Sequence, residues 1–262
     1  MKNSFRNLTY ATAAFPVVFL LTGCGGNSTP NRPPVCGVDI NGYAIACVVN
    51  PPIAPLATPV TSLATFPVAQ AMSTIATTSY NFALNSQDSY GNIFSIRYSS
   101  VPGAVAPYGS VAANTATITQ TTKLNGATIQ NVTATTYFTL PPYQFLGSNS
   151  NYWGGAQVVT SWQAPPVTGT VGEQFSSFTA TLYHDSTNSI VDGTVIETIT
   201  LNADTASTAL LCQHDSVQVT QQGYYDNIYQ GTTSTCYRID TSGNVLGMQM
   251  TVPVYGPTML FY

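Results

Sequence analysis

Charge is what this chain of 262 residues has least of. Lys, Arg, Asp and Glu make up 6% of it, against roughly 25% in an ordinary soluble domain. Ser, Thr, Asn, Gln and Tyr carry the polarity instead. Of six basic residues, Lys2 and Arg6 sit at the start. The rest, Arg32, Arg97, Lys123 and Arg238, face ten acids. No basic stripe offers a footprint for a phosphate backbone, so nucleic acid is not an expected partner. Two histidines and few Lys and Glu leave a thin stock of acid–base groups. No Gly-x-Ser-x-Gly elbow occurs either. Catalysis is therefore not expected, and neither is a cofactor. Cys-x-x-Cys is also missing, which argues against a zinc site built from cysteines.

A membrane-spanning helix is excluded at the N-terminus. The apolar stretch from Ala13 to Leu21 is too short, since crossing the bilayer core takes about 20 apolar residues. Placed behind Lys2 and Arg6, it has the order of an export signal. The next residues are Leu21-Thr22-Gly23-Cys24: a hydrophobic residue, two small ones and a cysteine. This segment resembles the lipobox of bacterial lipoproteins. The resemblance implies a signal peptide over residues 1–23, removed before Cys24, and acyl chains (palmitate among them) on the Cys24 thiol. One chain anchors only marginally, and two or three give a stable hold. Gly25 stands where inner-membrane-retained lipoproteins of this type carry aspartate, which points to the outer membrane, on its periplasmic or cell-surface side.

With Cys24 lipidated, four cysteines remain. In an exported chain an even number reads as disulfides. Four allow three connectivities, and local spacing favours one. Cys36 and Cys47 flank Asn41-Gly42, a strong hairpin signal. A two-residue turn there sets Val38 against Ile45 and Cys36 against Cys47. Cys212 and Cys236 flank a segment centred on Tyr224. The expected bridges are thus Cys36–Cys47 and Cys212–Cys236.

Residues 24–78 hold Pro30, Pro33, Pro34, Pro51, Pro52, Pro55, Pro59 and Pro67. Proline has no amide hydrogen and favours extended backbone, so this segment reads as a stiff tether carrying one hairpin. From 79 to 262 the period is two. Tyr80, Phe82 and Leu84 alternate with polar residues, as do Phe94, Ile96 and Tyr98. No window shows sustained helical spacing. Asp88-Ser-Tyr-Gly91-Asn92 and Asp240-Thr-Ser-Gly243-Asn244 repeat one turn motif, and Asn125-Gly126 marks another hairpin. The expectation is an all-β domain: an antiparallel meander of about ten strands, folded as a β-sandwich or partly closed barrel.

Function is less legible. His184-Asp185-Ser186 and His214-Asp215-Ser216 repeat a tripeptide whose imidazoles and carboxylates are metal-ligand types. The same residues also begin turns, and no metal is expected. Glu173 or Glu197 with an aspartate would supply paired carboxylates, although Glu197 on an apolar face reads more simply as a sheet-edge residue. Aromatics gather in two places: Tyr143, Phe145, Tyr152, Trp153 and Trp162, then Tyr224, Tyr225 and Tyr229. Aromatic faces beside Asn and Ser suit sugar rings or a protein partner. Tyr152, Trp153 and Trp162 are the candidate ligand-binding residues, with carbohydrate or an envelope protein as partner. The C-terminal Thr258–Tyr262 resembles the closing strand of outer-membrane barrels, but the Thr-rich strands lack a lipid-facing apolar band. The expected function is a non-catalytic binding or envelope-structural module. The rivals are a hydrolase of envelope or extracellular polymers and a carrier of a hydrophobic ligand.

Replacing Cys24 with Ser is expected to block acylation and cleavage, leaving uncleaved precursor. Labelling cells with a palmitate analogue checks this, and label retained by the Cys24→Ser protein would remove the lipobox reading.

Overall fold

The computed structural model describes residues 35–38, 44–46, 65–150, 155–226, 228–253 and 258–262. Near the start, β1 (Val35–Val38) and β2 (Ala44–Ala46) pair antiparallel, as the Asn-Gly signal predicts. The register is different, however. Val38 faces Ala44 and Gly37 faces Ile45, with an irregularity between Val35 and Gly37. Val38 and Ala44 are joined by five residues, where a two-residue turn would have paired Val38 with Ile45. Cys24 and Cys47 lie outside the described residues.

The domain begins earlier than the alternation suggests. β3 (Thr65–Phe66) is followed by helix α1 (Val68–Thr77). Val68, Ala71, Met72 and Ile75 recur at i, i+3, i+4 and i+7, one face of a helix, and all four are buried. Phe66 is buried with them. The expected boundary at residue 79 and the absence of helix are both corrected here. Pro67 at the N-cap supplies the helix start, and the run of ten residues is short enough to hide inside a proline-rich segment. Ser73, Thr74 and Thr77 each donate a hydroxyl to the carbonyl four residues back, which satisfies polar side chains in a helix with no charge.

The strands that follow are β4 (Tyr80–Gln87), β5 (Ile93–Pro102), β6 (Ala106–Tyr108), β7 (Val111–Leu124), β8 (Ala127–Thr139), β9 (Gln144–Ser150) and β10 (Ala156–Trp162). Then come β11 (Gly169–Thr170), β12 (Gln174–Tyr183), β13 (Val191–Ala203), β14 (Thr208–Val219), helix α2 (Gln221–Tyr225), β15 (Gly231–Asp240), β16 (Val245–Pro253) and β17 (Thr258–Phe261). Thirteen of them form one antiparallel sheet. It is a meander from β4 to β17, in which β6 pairs with β7 alone and β11 leaves to pair with β3.

The two ends of the meander meet. The Asn85 amide donates to the Tyr262 carbonyl at 3.1 Å, and the Tyr262 amide donates back to Asn85 at 3.3 Å. A sheet expected to be a sandwich or a partly closed barrel is thus a barrel nearly closed between β4 and β17. Closure protects the edges that would otherwise invite pairing with other chains.

The turns are the ones the sequence spells. Asp88 Oδ1 accepts the amides of Tyr90 and Asn92, and Asp240 Oδ1 accepts those of Ser242 and Asn244. Gly91 and Gly243 take the positive φ that closes each turn (85° and 79°). Asn125 and Gly126 both have positive φ, the geometry of the tightest hairpin turn.

Alternation then divides inside from outside. β5 buries Phe94, Ile96, Tyr98 and Ser100, and β14 buries Ala209, Leu211, Gln213 and Asp215. Facing outward on β7 and β8, Thr117 pairs across the strands with Thr135, and Thr119 with Thr133. Hydroxyls, rather than an apolar band, coat this part of the barrel. Inside, the buried face of α1 belongs to one apolar core with Leu84, Ile96, Leu211, Met250 and Phe261. Cys212 and Cys236 stand opposite each other on β14 and β15 and are bridged, as expected.

The seam is held by side chains as much as by its two hydrogen bonds. Phe261→Ala is expected to cost about 3–5 kcal/mol, because Phe261 is fully buried and leaves a cavity. Tyr262→Ala keeps the backbone bonds and removes a ring that is 49% exposed, so it should cost about 1 kcal/mol or less. Urea unfolding of both variants checks the contrast.

Candidate functional site

Most residues singled out by composition go to separate places. Tyr152 and Trp153 lie outside the described residues. Trp162 ends β10 with its ring toward the interior, opposite Phe178 and edge-on to Tyr143 at 5.7 Å. The ring is half-buried there, and Trp162 is not among the residues lining the cleft described below. Glu173 is exposed and its Oε2 accepts the Thr170 amide, closing the turn before β12. Tyr224 and Tyr225 are both exposed on α2.

The two His-Asp-Ser tripeptides do not meet. The His184 amide bonds to Ile190, while His214 stands opposite Thr198. Eight residues of β13 separate these levels, ~26 Å at the strand rise. His214 bridges Thr200 and Ser234 across the outer face, at 2.8 and 2.6 Å. Burial lowers its pKa, which keeps a neutral ring in this bridge. Asp185 caps its own turn through Thr187, and Asp215 points into the barrel.

His184 has other company. Its Nδ1 lies 3.0 Å from Asp226 Oδ2 and 3.8 Å from Asp192 Oδ2. One ligand atom from each of the three residues lies within 4.8 Å of the others. Asp192 is buried (3% exposed) at the start of β13, and α2 is fastened directly to it. The Thr220 amide donates to the Asp192 carbonyl at 2.8 Å, and the Thr220 hydroxyl accepts the Gly223 amide as the helix cap. A Cβ on Gly223 would stand 2.1 Å from that same carbonyl, so only glycine lets α2 approach. This approach puts Asp226, at the end of the helix, against His184. Burial, then the neighbouring Asp226 charge, pushes the Asp192 carboxyl up to about 6. Neither aspartate carries a sequence signal, because Asp226 is 42 residues from His184 and meets it only through this packing.

A second feature lies on the outer face nearby. Tyr108, Tyr137, Asn149, Val158, Ser186 and Asn188 help line a cleft of about 340 Å3, within the range of small-ligand sites. The Tyr108 and Tyr137 rings are stacked, with centroids 4.6 Å apart. The Tyr108 hydroxyl donates to the Gln157 carbonyl, and burial, then Tyr137, pushes its pKa up to about 12. Strand tilt brings these residues together. One row of paired residues runs Thr115, Tyr137, Gly147, Val158, Thr181, Thr194 and Gln218. It therefore links the beginning of β7 to the end of β14, and sets β6 beside the β12–β13 hairpin. Asn149 and Ala156 both line the cleft as well.

The interior holds acids of its own. Glu197 and Asp215 face each other across β13 and β14, both buried. β13 is flanked on both sides by paired strands, so the expectation of Glu197 at a sheet edge is corrected. Burial pushes its carboxyl up to about 8, against a lowering hydrogen bond with Ser177. Elsewhere inside, Tyr80, Tyr98, Tyr237 and Gln213 border a cavity of about 20 Å3, room for one water. Side chains fill this part of the interior, which leaves no room there for a lipid tail.

No protein-family model, curated protein or solved structure matches this chain.

Glu197 sets a pH dependence. Its unfolded value is near 4.5 and its folded value about 8. Between them the folded state holds a proton that the unfolded state has lost, so stability is full below 4.5 and falls as pH rises toward 8. The slope is about 1.4 kcal/mol per pH unit. Glu197→Gln should match the parent near pH 4.5, melt higher at pH 8 and lose this slope. Melting curves across that window check it, and an unchanged slope would remove the assignment.

Proposed function

We propose that this protein is a lipid-anchored outer-membrane lipoprotein whose barrel binds neutral carbohydrate, without catalysis, in the Tyr108–Tyr137 cleft. One observation carries the reading: the cleft combines a stacked pair of aromatic rings with amides and hydroxyls, and none of its described lining residues is charged. A sugar ring has apolar C–H faces that lie on aromatic rings, and a rim of hydroxyls that bond to side chains such as Asn149, Ser186 and Asn188. Charged sugars and phosphorylated ligands would ask for Lys or Arg, and neither is among the described lining residues.

Binding is favoured over hydrolysis because the described acids point elsewhere. Glu197 and Asp215 face the barrel interior, and Asp185 is engaged in its own turn. The anchor rests on the Leu21–Cys24 motif. The outward threonines of β7 and β8 suit a domain standing in water beside the bilayer, held by acyl chains.

Neutral oligosaccharides are the probe: glucose, mannose and N-acetylglucosamine hexamers titrated by calorimetry and tyrosine fluorescence. At least one should bind. Tyr137→Ala and Asn149→Ala should weaken it about tenfold or more, a loss of roughly 1.4 kcal/mol, with melting little changed. Absence of binding by all three, or equal binding by both variants, would overturn the reading.

A further inference from the structure

We propose that His184, Asp192 and Asp226 form a binding site for one divalent transition-metal ion, with zinc as the preferred occupant. The inference stands apart from the carbohydrate cleft and does not depend on it.

Geometry comes first. A zinc ion bound at about 2.1 Å by nitrogen and oxygen ligands sets those atoms ~3.4 Å apart along each edge of its tetrahedron. His184 Nδ1 is 3.0 Å from Asp226 Oδ2 and 3.8 Å from Asp192 Oδ2. These two spacings bracket the tetrahedral edge, and one ligand atom from each of the three residues lies within 4.8 Å of the others, so the three donors surround one point. A water or a second carboxylate oxygen supplies the fourth position.

Burial gives the second, independent reason. Asp192 is 3% exposed, and its Oδ1 has no hydrogen-bond partner among the described residues. A buried carboxylate normally has every oxygen satisfied, because an unpaired one costs the full desolvation of the group. Here two carboxylates share one pocket, and each forms an ion pair with the same imidazole. A dication bound by the Asp192 carboxylate would compensate its buried charge and cancel the repulsion between the two acids.

The surroundings are built to hold ligands still. Gln222 Nε2 donates to Asp226 Oδ2 at 2.8 Å, an outer hydrogen bond of the kind that orients metal ligands. Asp192 is fixed by the Thr220 contacts to its carbonyl, and His184 by its amide bond to Ile190. The donor set selects the ion. One imidazole with two carboxylates suits zinc, whereas calcium takes six to eight oxygens. The ion would join α2 to the β12–β13 hairpin, two elements otherwise connected by Thr220 and the Gly223 approach.

The test uses the full-length protein in detergent with its disulfide oxidised, stripped with chelator and dialysed against zinc, manganese or calcium. Elemental analysis should find about one zinc per chain. Saturating zinc should raise the melting midpoint by about 5 °C, and calcium should bind at least tenfold more weakly. His184→Gln and Asp226→Asn should retain the parent circular dichroism, hold almost no zinc and show no shift. His184 is a third exposed, so its replacement leaves the fold intact even if the aspartate variant is perturbed. Zinc-free parent protein after dialysis, zinc retained in full by His184→Gln, or calcium binding as tight as zinc would each overturn the site.

Discussion

The reciprocal hydrogen bonds between Asn85 and Tyr262 are the constraint on which the rest of this structure depends. They convert a long antiparallel meander into a nearly closed barrel. An open sheet can bury one face against any layer, but a closed one must fill its own interior. That demand explains why α1 turns its buried face to the core of the sheet, and why Met72 and Phe261 belong to the same cluster. It also explains the tyrosines. Tyr80, Tyr98 and Tyr237 are long enough to meet across the interior, with Tyr80 6.2 Å from Tyr98 and 6.1 Å from Tyr237.

Closure also requires the strands to tilt, and tilt decides the outer surface. Residues at opposite ends of the meander's middle strands become neighbours along one row of paired positions. Tyr108, beside the start of β7, thereby reaches the face that carries Asn149, Val158 and the β12–β13 hairpin. The same hairpin presents Ser186 and Asn188 to the cleft and His184 to Asp226. Two proposed sites therefore share one structural element, and each uses a different side of it.

A polar interior has a cost. Glu197, Gln120, Gln130 and Gln213 are buried with side-chain atoms lacking partners among the described residues. The Glu197 carboxyl answers by staying protonated far above its ordinary range. The hydrophobic part of the core offsets this. It is continuous from Phe66 through Ile96 and Leu211 to Phe261, and the Cys212–Cys236 bridge crosses two of its strands from the outside.

Period-two alternation, Asp-x-x-Gly-Asn and Asn-Gly turns, and paired cysteines were local signals, and they determined the all-β class, the turn positions and the β14–β15 bridge. Each acts through backbone geometry within a few residues, or within one hairpin, and so survives reading the chain alone. The helix at Val68–Thr77 was equally local, yet its four apolar positions were masked by the prolines around them. What the tertiary structure alone decided was which ends meet and which side chains converge. His184 gives no hint of Asp226, nor Tyr108 of Tyr137, because their proximity follows from strand tilt and from α2 docking on the Asp192 carbonyl. Those are sums over many pairings, and no single stretch of sequence carries them.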